Sequence, residues 1–164
     1  MSDNTATNVM IGFNPTIDVP VTAHMFKGKE KIEVSFIAVF KHVSRKANRV
    51  LKKEMDKALR DVRLLAKELV ELENKSESDS DTENRIEEID QQIDTYTDMI
   101  EKRIREHLVS WKELPHAQSG FVEFNQENLE LVLDHEAYFL ALRDGFNRAT
   151  GVDHEAHERK NSKA

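Results

Sequence analysis

Residues 111–146 read WKELPHAQSGFVEFNQENLELVLDHEAYFLALRDGF, and this stretch decides where a long helix stops and how the chain finishes. Trp111 closes an amphipathic pattern. Pro115 lacks the amide proton needed to continue it, and Ser119-Gly120 supplies a turn in which glycine is free to take positive φ. A new helix is predicted after Asn125, whose side chain can accept the amide of the third helical residue, with Phe124 placed to staple onto Leu129. That short helix carries Leu129, Val132 and Leu133 before Asp134-His135-Glu136 breaks the pattern. A last helix follows, with Tyr138, Leu142 and Phe146 on one face, Phe139 beside them and Gly151 as its terminator.

The pattern that Trp111 closes runs back through Leu108, Ile104, Ile100, Tyr96, Ile93, Ile89 and Ile86, and Ser80 with Glu83 matches a capping box at its start. Before it lies an earlier stripe of the same period: Ala47, Leu51, Met55, Ala58, Val62, Leu65, Leu69 and Leu72, with Ser44 as its cap. Residues 74–81 (NKSESDSD) are acidic, Ser-rich and without apolar side chains, which reads as a solvated loop. Two long stripes joined by a short polar loop predict an antiparallel helical hairpin over 44–111, its seam close to a heptad repeat.

Nearer the start the period changes to two. Ile17, Val19 and Val21 alternate with polar or small residues, as do Ile32, Val34, Phe36, Ala38 and Phe40 after the Lys27-Gly28-Lys29 turn, so 15–42 is predicted to be a β-hairpin. Pro20, which lacks an amide proton, places the first strand at a sheet edge or gives it an irregular start. Two strands do not stand alone in water, so the apolar face of this hairpin is expected to lie on the helices or to meet strands from another subunit. The fold class is therefore α+β and mostly α: one domain over 15–150, with two short C-terminal helices over 125–150. Residues 1–14 and 151–164, which lack apolar periodicity, are expected to be mobile.

Composition narrows the function classes. With no cysteine the chain has no thiol nucleophile, disulfide or thiolate metal site. It has no apolar run of membrane-spanning length, and its polar start lacks a secretory pattern, so residence in the cytoplasm without a membrane partner is expected. The net charge of -7 is unevenly spread: nine basic residues fall between Lys27 and Lys53 against Glu30 and Glu33, and twelve acidic residues between Glu71 and Glu101 against Lys75 and Arg85. These regions are able to attract one another within or between chains. The basic stretch has no interleaved aromatics and the chain as a whole is acidic, so it reads as a solvated helix face rather than a nucleic-acid surface.

A search for chemistry finds little. His154 and His157 in Asp153–Glu158, three apart, would share a helix face, but they are one residue short of the H-E-x-x-H zinc pattern and lie in the tail, so they read as a solvent-exposed acidic and histidine-containing segment. His107 and His116, with Glu106 and Glu113, have no glycine-rich loop, nucleophile elbow or paired carboxylates beside them. Trp111 reads as core, and Ser76, Ser78 and Ser80 as linker. No enzyme, cofactor or metal is expected.

The order of motifs resembles the short form of the tail assembly chaperones of long-tailed bacteriophages. Their β-hairpin ends in an F-K-x-x-S step, here Phe40-Lys41-His42-Val43-Ser44. Helices then lead to a Trp, a turn and a helix start, here Trp111 and Phe124-Asn125-Gln126-Glu127-Asn128-Leu129, before a helix running from Tyr138 to Phe146. The resemblance does not extend to the long hairpin around the acidic loop at 74–81. It implies a phage or prophage protein of the host cytoplasm, absent from the mature virion, that binds the tape measure protein and keeps its helices soluble while tail tube subunits polymerise. A frameshifted longer form would recruit the tube protein, and self-association is compatible with the charge pattern. Candidate partner contacts are Phe36, Phe40, Phe121, Phe124, Leu129, Tyr138, Phe139 and Phe146. Two other readings compete: a generic helical adaptor or regulator, which needs only the stripes, and a small metal-dependent hydrolase, which needs its histidines clustered.

Protein purified without an affinity tag is expected to contain no stoichiometric metal by elemental analysis. One zinc per chain, lost in His154→Ala/His157→Ala, would restore the hydrolase reading.

Overall fold

The structure, a computed structural model, describes residues 15–75 and 79–151; the segments expected to be mobile, 1–14 and all but the first residue of 151–164, lie outside them. In order, the described elements are β1 (Thr16–Lys27), β2 (Glu30–Lys41), α1 (Arg45–Glu73), α2 (Ser80–His107), β3 (Leu108–Lys112), α3 (Gln126–Asp134) and α4 (Glu136–Thr150). The fold is α+β and mostly α, as the two periodicities predict. By compactness it divides into two units: β1, β2, β3, α3 and α4 as far as Ala149, and α1 with α2 as far as Glu106, together with Thr150. The division falls where the chain leaves β2 and where it reaches β3, inside the span that the sequence reading treats as one domain.

The sheet is antiparallel in the order β1-β2-β3. Lys27 pairs with Glu30 across a two-residue turn in which Gly28 takes φ 65 and Lys29 does not take positive φ, the pattern of a type II′ turn. Alternation sorts the side chains: Val19, Val21 and Ala23 of β1 and Phe36, Ala38 and Phe40 of β2 are buried on one face. Pro20 lies on the edge strand as expected. The nitrogen and carbonyl of a strand residue point the same way, so its missing amide costs the ladder nothing, and its carbonyl accepts from the Arg148 guanidinium of α4.

The sequence reading requires correction at 108–111. The long helix ends at His107, and Leu108–Lys112 is a third strand. Phe40 pairs with Leu108 and Val39 with Ser110, so Val109 is the extra residue of a β-bulge. The bulge puts Leu108 and Trp111 on the same buried face, although residues three apart in a regular strand face opposite ways. Residues three apart do share a face of a helix, which is why the helical stripe reads on through Trp111 in the sequence.

Helix α4 covers the inner face of the sheet. Tyr138 meets Phe36 edge-on at 6.1 Å between ring centroids, and Phe146 meets Phe40 at 5.9 Å. Eight helical residues rise ~12 Å and four strand residues ~13 Å, so the helix runs alongside β2 in the same direction. The approach is closest at Gly145, where a Cβ would lie 2.5 Å from Val21 Cγ1 and 3.4 Å from the Phe40 ring.

In the other unit, Leu51, Met55, Ala58 and Leu65 of α1 and Ile89, Ile100 and Ile104 of α2 form the buried seam. Val62, Leu69, Ile86 and Ile93 are half-buried, and Ala47 is exposed. The antiparallel hairpin is shown by its cross-links: Glu68 with Arg85, Asp61 with Tyr96 and Glu54 with Arg103. A second correction concerns the start of α2. Its cap is Asp79 rather than Ser80, with Asp79 Oδ1 accepting from the Thr82 amide at 2.8 Å. The Thr82 bonds hold the Asp79 carboxyl below its usual range.

Gly145→Ala tests the helix-sheet approach. Alanine favours a helix by about 0.5–1 kcal/mol over glycine, but overpacking against a stiff β-branched side chain costs about 1–3 kcal/mol. Net destabilisation in urea is expected, and in a Val21→Ala background, where the clashing methyl is gone, the same glycine change should cost less.

Candidate functional site

The residues that carry the resemblance fall in the sheet unit, and several of them touch. Trp111 pairs with Ala38 across the β2-β3 ladder, where a methyl side chain leaves room for the indole. Its Nε1 donates to the Val122 carbonyl at 2.8 Å, and Phe124 meets it edge-on at 4.7 Å. The indole therefore holds the far arm of the loop that follows its own strand.

That loop is closed by further bonds. Glu113 takes φ 61, turning the chain immediately after β3. The Val122 amide donates to the Leu114 carbonyl at 2.7 Å, Pro115 bridges to Phe121, and the His116 amide donates to the Gly120 carbonyl at 2.9 Å. Gly120 takes φ 73, the conformation expected of the Ser119-Gly120 turn. Leu114 is buried beneath the loop. The chain then enters α3 through Asn125, which accepts from the Asn128 amide at 2.8 Å as predicted, while Asn128 Nδ2 donates back to the Glu123 carbonyl. The result is a short ribbon with little freedom, fixed at its base by an aromatic pair.

The eight candidate contacts separate by burial. Phe36, Phe40, Leu129, Phe139 and Phe146 are buried, and Phe124 and Tyr138 are partly buried. Those five make the core between the sheet and its helices and are not offered to a partner in this conformation. Burial also pushes the Tyr138 hydroxyl above its ordinary range. Phe121 is different: it is 67% exposed on the closed loop. Three further exposed apolar residues of the sheet unit were missed, Phe26 at 74%, Leu131 at 65% and Val109 at 39%, and α1 of the other unit exposes Val50, Leu64 and Val70. The available signal was phase. Phe26 falls on the outward positions of β1, and Leu131 lies between the inward Leu129 and Val132-Leu133.

The His107 ring lies 5.3 Å from Phe146, and His116 Nδ1 accepts from the Gln118 amide inside the turn, so each imidazole is taken up locally. The ionisation of Glu33 is favoured by Lys31 first and by His24, on the exposed face of the hairpin. Among the described residues no group of three or more histidines and carboxylates is placed to hold a metal. The Asp153–Glu158 run lies outside them. No described helix is long and apolar enough to cross a membrane. No family model matches the chain, and no curated protein or solved structure matches it.

Trp111→Ala is expected to cost about 3–5 kcal/mol, through lost packing and a freed loop. Trp111→Phe should cost less while leaving the Val122 carbonyl without its donor. Tryptophan emission of the folded protein should be blue-shifted; a fully solvated spectrum would contradict the buried indole.

Proposed function

We propose that the protein is a tail assembly chaperone of a long-tailed phage or prophage, acting in the host cytoplasm by binding the tape measure protein and keeping it soluble during tube assembly. The observation that carries this reading is the convergence of the resembling segments. The strand end at Phe40, the tryptophan, the Phe124-Asn125 helix start and the Tyr138–Phe146 helix belong to one unit. Within it they are joined by three aromatic contacts: Phe40 to Phe146, Trp111 to Phe124 and Phe36 to Tyr138. The hairpin that the resemblance leaves out makes the other unit.

Binding is by apolar contact, with no bond made or broken. Phe121 is the candidate anchor, since a rigid display reduces the entropy lost on docking. Phe26 and Leu131 are further exposed apolar side chains of the same unit. A tape measure protein is long and helical, and amphipathic helices present apolar residues at the spacings such surfaces take up.

Co-expression should raise the soluble yield of the tape measure protein encoded in the same genome, and the complex should persist in ~0.5 M salt, because apolar contacts are not screened. Phe121→Glu with Leu131→Glu should weaken co-purification while leaving the circular dichroism unchanged. Failure to co-purify at low salt would leave the generic adaptor as the better reading.

A further inference from the structure

The helical hairpin has two oppositely charged outer faces that its own seam does not use. On α1, Arg45, Arg49, Lys52, Arg60, Arg63 and Lys67 recur at helical spacing, interrupted by Asp56. At 3.6 residues per turn they lie about half a turn away from Leu51, Met55, Ala58 and Leu65, so they point away from α2. On α2, Glu83, Glu87, Asp90, Asp94, Asp98 and Glu101 fall at spacings of three and four, about a third of a turn from Ile89 and Ile100.

The carboxylates that α1 uses toward α2 are a different set. Glu54, Asp61 and Glu68, each seven residues from the next, take Arg103, Tyr96 and Arg85. With those cross-links made, Arg45, Arg49 and Arg63 on one face and Glu87, Asp90, Asp94 and Asp98 on the other are exposed and have no ion-pair partner among the described residues. The two faces point away from the seam and cannot neutralise each other within one hairpin.

We infer that the partner of these faces is a second copy of this chain, with the basic face of α1 in one copy laid along the acidic face of α2 in the next. Charge complementarity selects that occupant. A basic helix face alone would suit many polyanions, but the same chain carries a matching row of carboxylates on the adjoining helix, and a nucleic acid brought to α1 would meet that row. The acidic row, Glu83 to Glu101, runs ~27 Å and the basic row, Arg45 to Lys67, ~33 Å, so one lies within the length of the other. The contact requires no tape measure protein, and its failure would leave the proposed function standing.

Sedimentation velocity of the full chain at ~100 µM tests this. Association is expected near 50 mM salt and should be lost, or weakened tenfold or more, near 500 mM, where the screening length falls to about 4 Å. Two triple variants, Arg45→Glu/Arg49→Glu/Arg63→Glu and Glu87→Lys/Asp90→Lys/Asp94→Lys, should each be monomeric at low salt with unchanged helicity. Mixed in equal amounts they should associate, because the reversed α1 of one then faces the reversed α2 of the other. A monomeric wild type at low salt would overturn the inference, as would association indifferent to salt or a mixture that stays monomeric. Loss of nucleic-acid binding as the sole effect of the α1 variant would also overturn it.

Discussion

The sheet unit depends on where one indole is held. Trp111 sits in a short edge strand opposite Ala38, with Phe124 against its edge and the Val122 carbonyl on its nitrogen. Three stretches of chain that share no regular secondary structure, the strand, the returning loop and the approach to α3, are fixed by this single side chain. A phenylalanine would fill much of the same space but would have no donor for the carbonyl, and an unpaired acceptor in a part-buried place is expensive. The glycine in α4 is the counterpart on the other side of the core: by having no Cβ it lets the helix lie against Val21.

The second unit is built differently. Its seam is narrow, made of single aliphatic rows, and polar cross-links border it. The carboxylates seven residues apart on α1 keep one position of the heptad, so the hairpin fixes its axial register with hydrogen bonds as well as with packing. The exposed members of these cross-links contribute little to stability one by one, and slipping one helix by a turn would break them together.

Much of this was legible in the sequence. Period two gave the β-hairpin, period three and four gave the helices, and Pro20, Gly28, Gly120 and Asn125 marked an edge, two turns and a cap where the structure has them. What was not legible has particular causes. The bulge at Val109 imitates helical spacing in a strand, so four of the five residues of β3, 108–111, were read as the last turn of a helix. Asp79 and Ser80 are both good caps, and only the geometry of the turn selects the first. Among the candidate contacts, sequence could identify apolar side chains but not which of them face one another. Phe121 is distinguished from Phe124 by the way the loop closes, which residue type alone does not reveal.

Strands β2 and β3 are neighbours in the sheet, yet the whole of α1 and α2 lies between them in the chain. During folding, pairing them early means closing a long loop, an entropic cost that must be met before any ladder bond repays it. The helical hairpin offers a way around this, because its two arms run antiparallel and can pair progressively from the short polar loop, Glu68 with Arg85 before Asp61 with Tyr96 and Glu54 with Arg103. Once it has formed, Lys41 and Leu108 are separated by a shortcut instead of a free coil. The inserted hairpin then serves as a folding clamp for the sheet, and weakening its seam should slow the arrival of Trp111 at Ala38 more than it slows the formation of the β1-β2 turn.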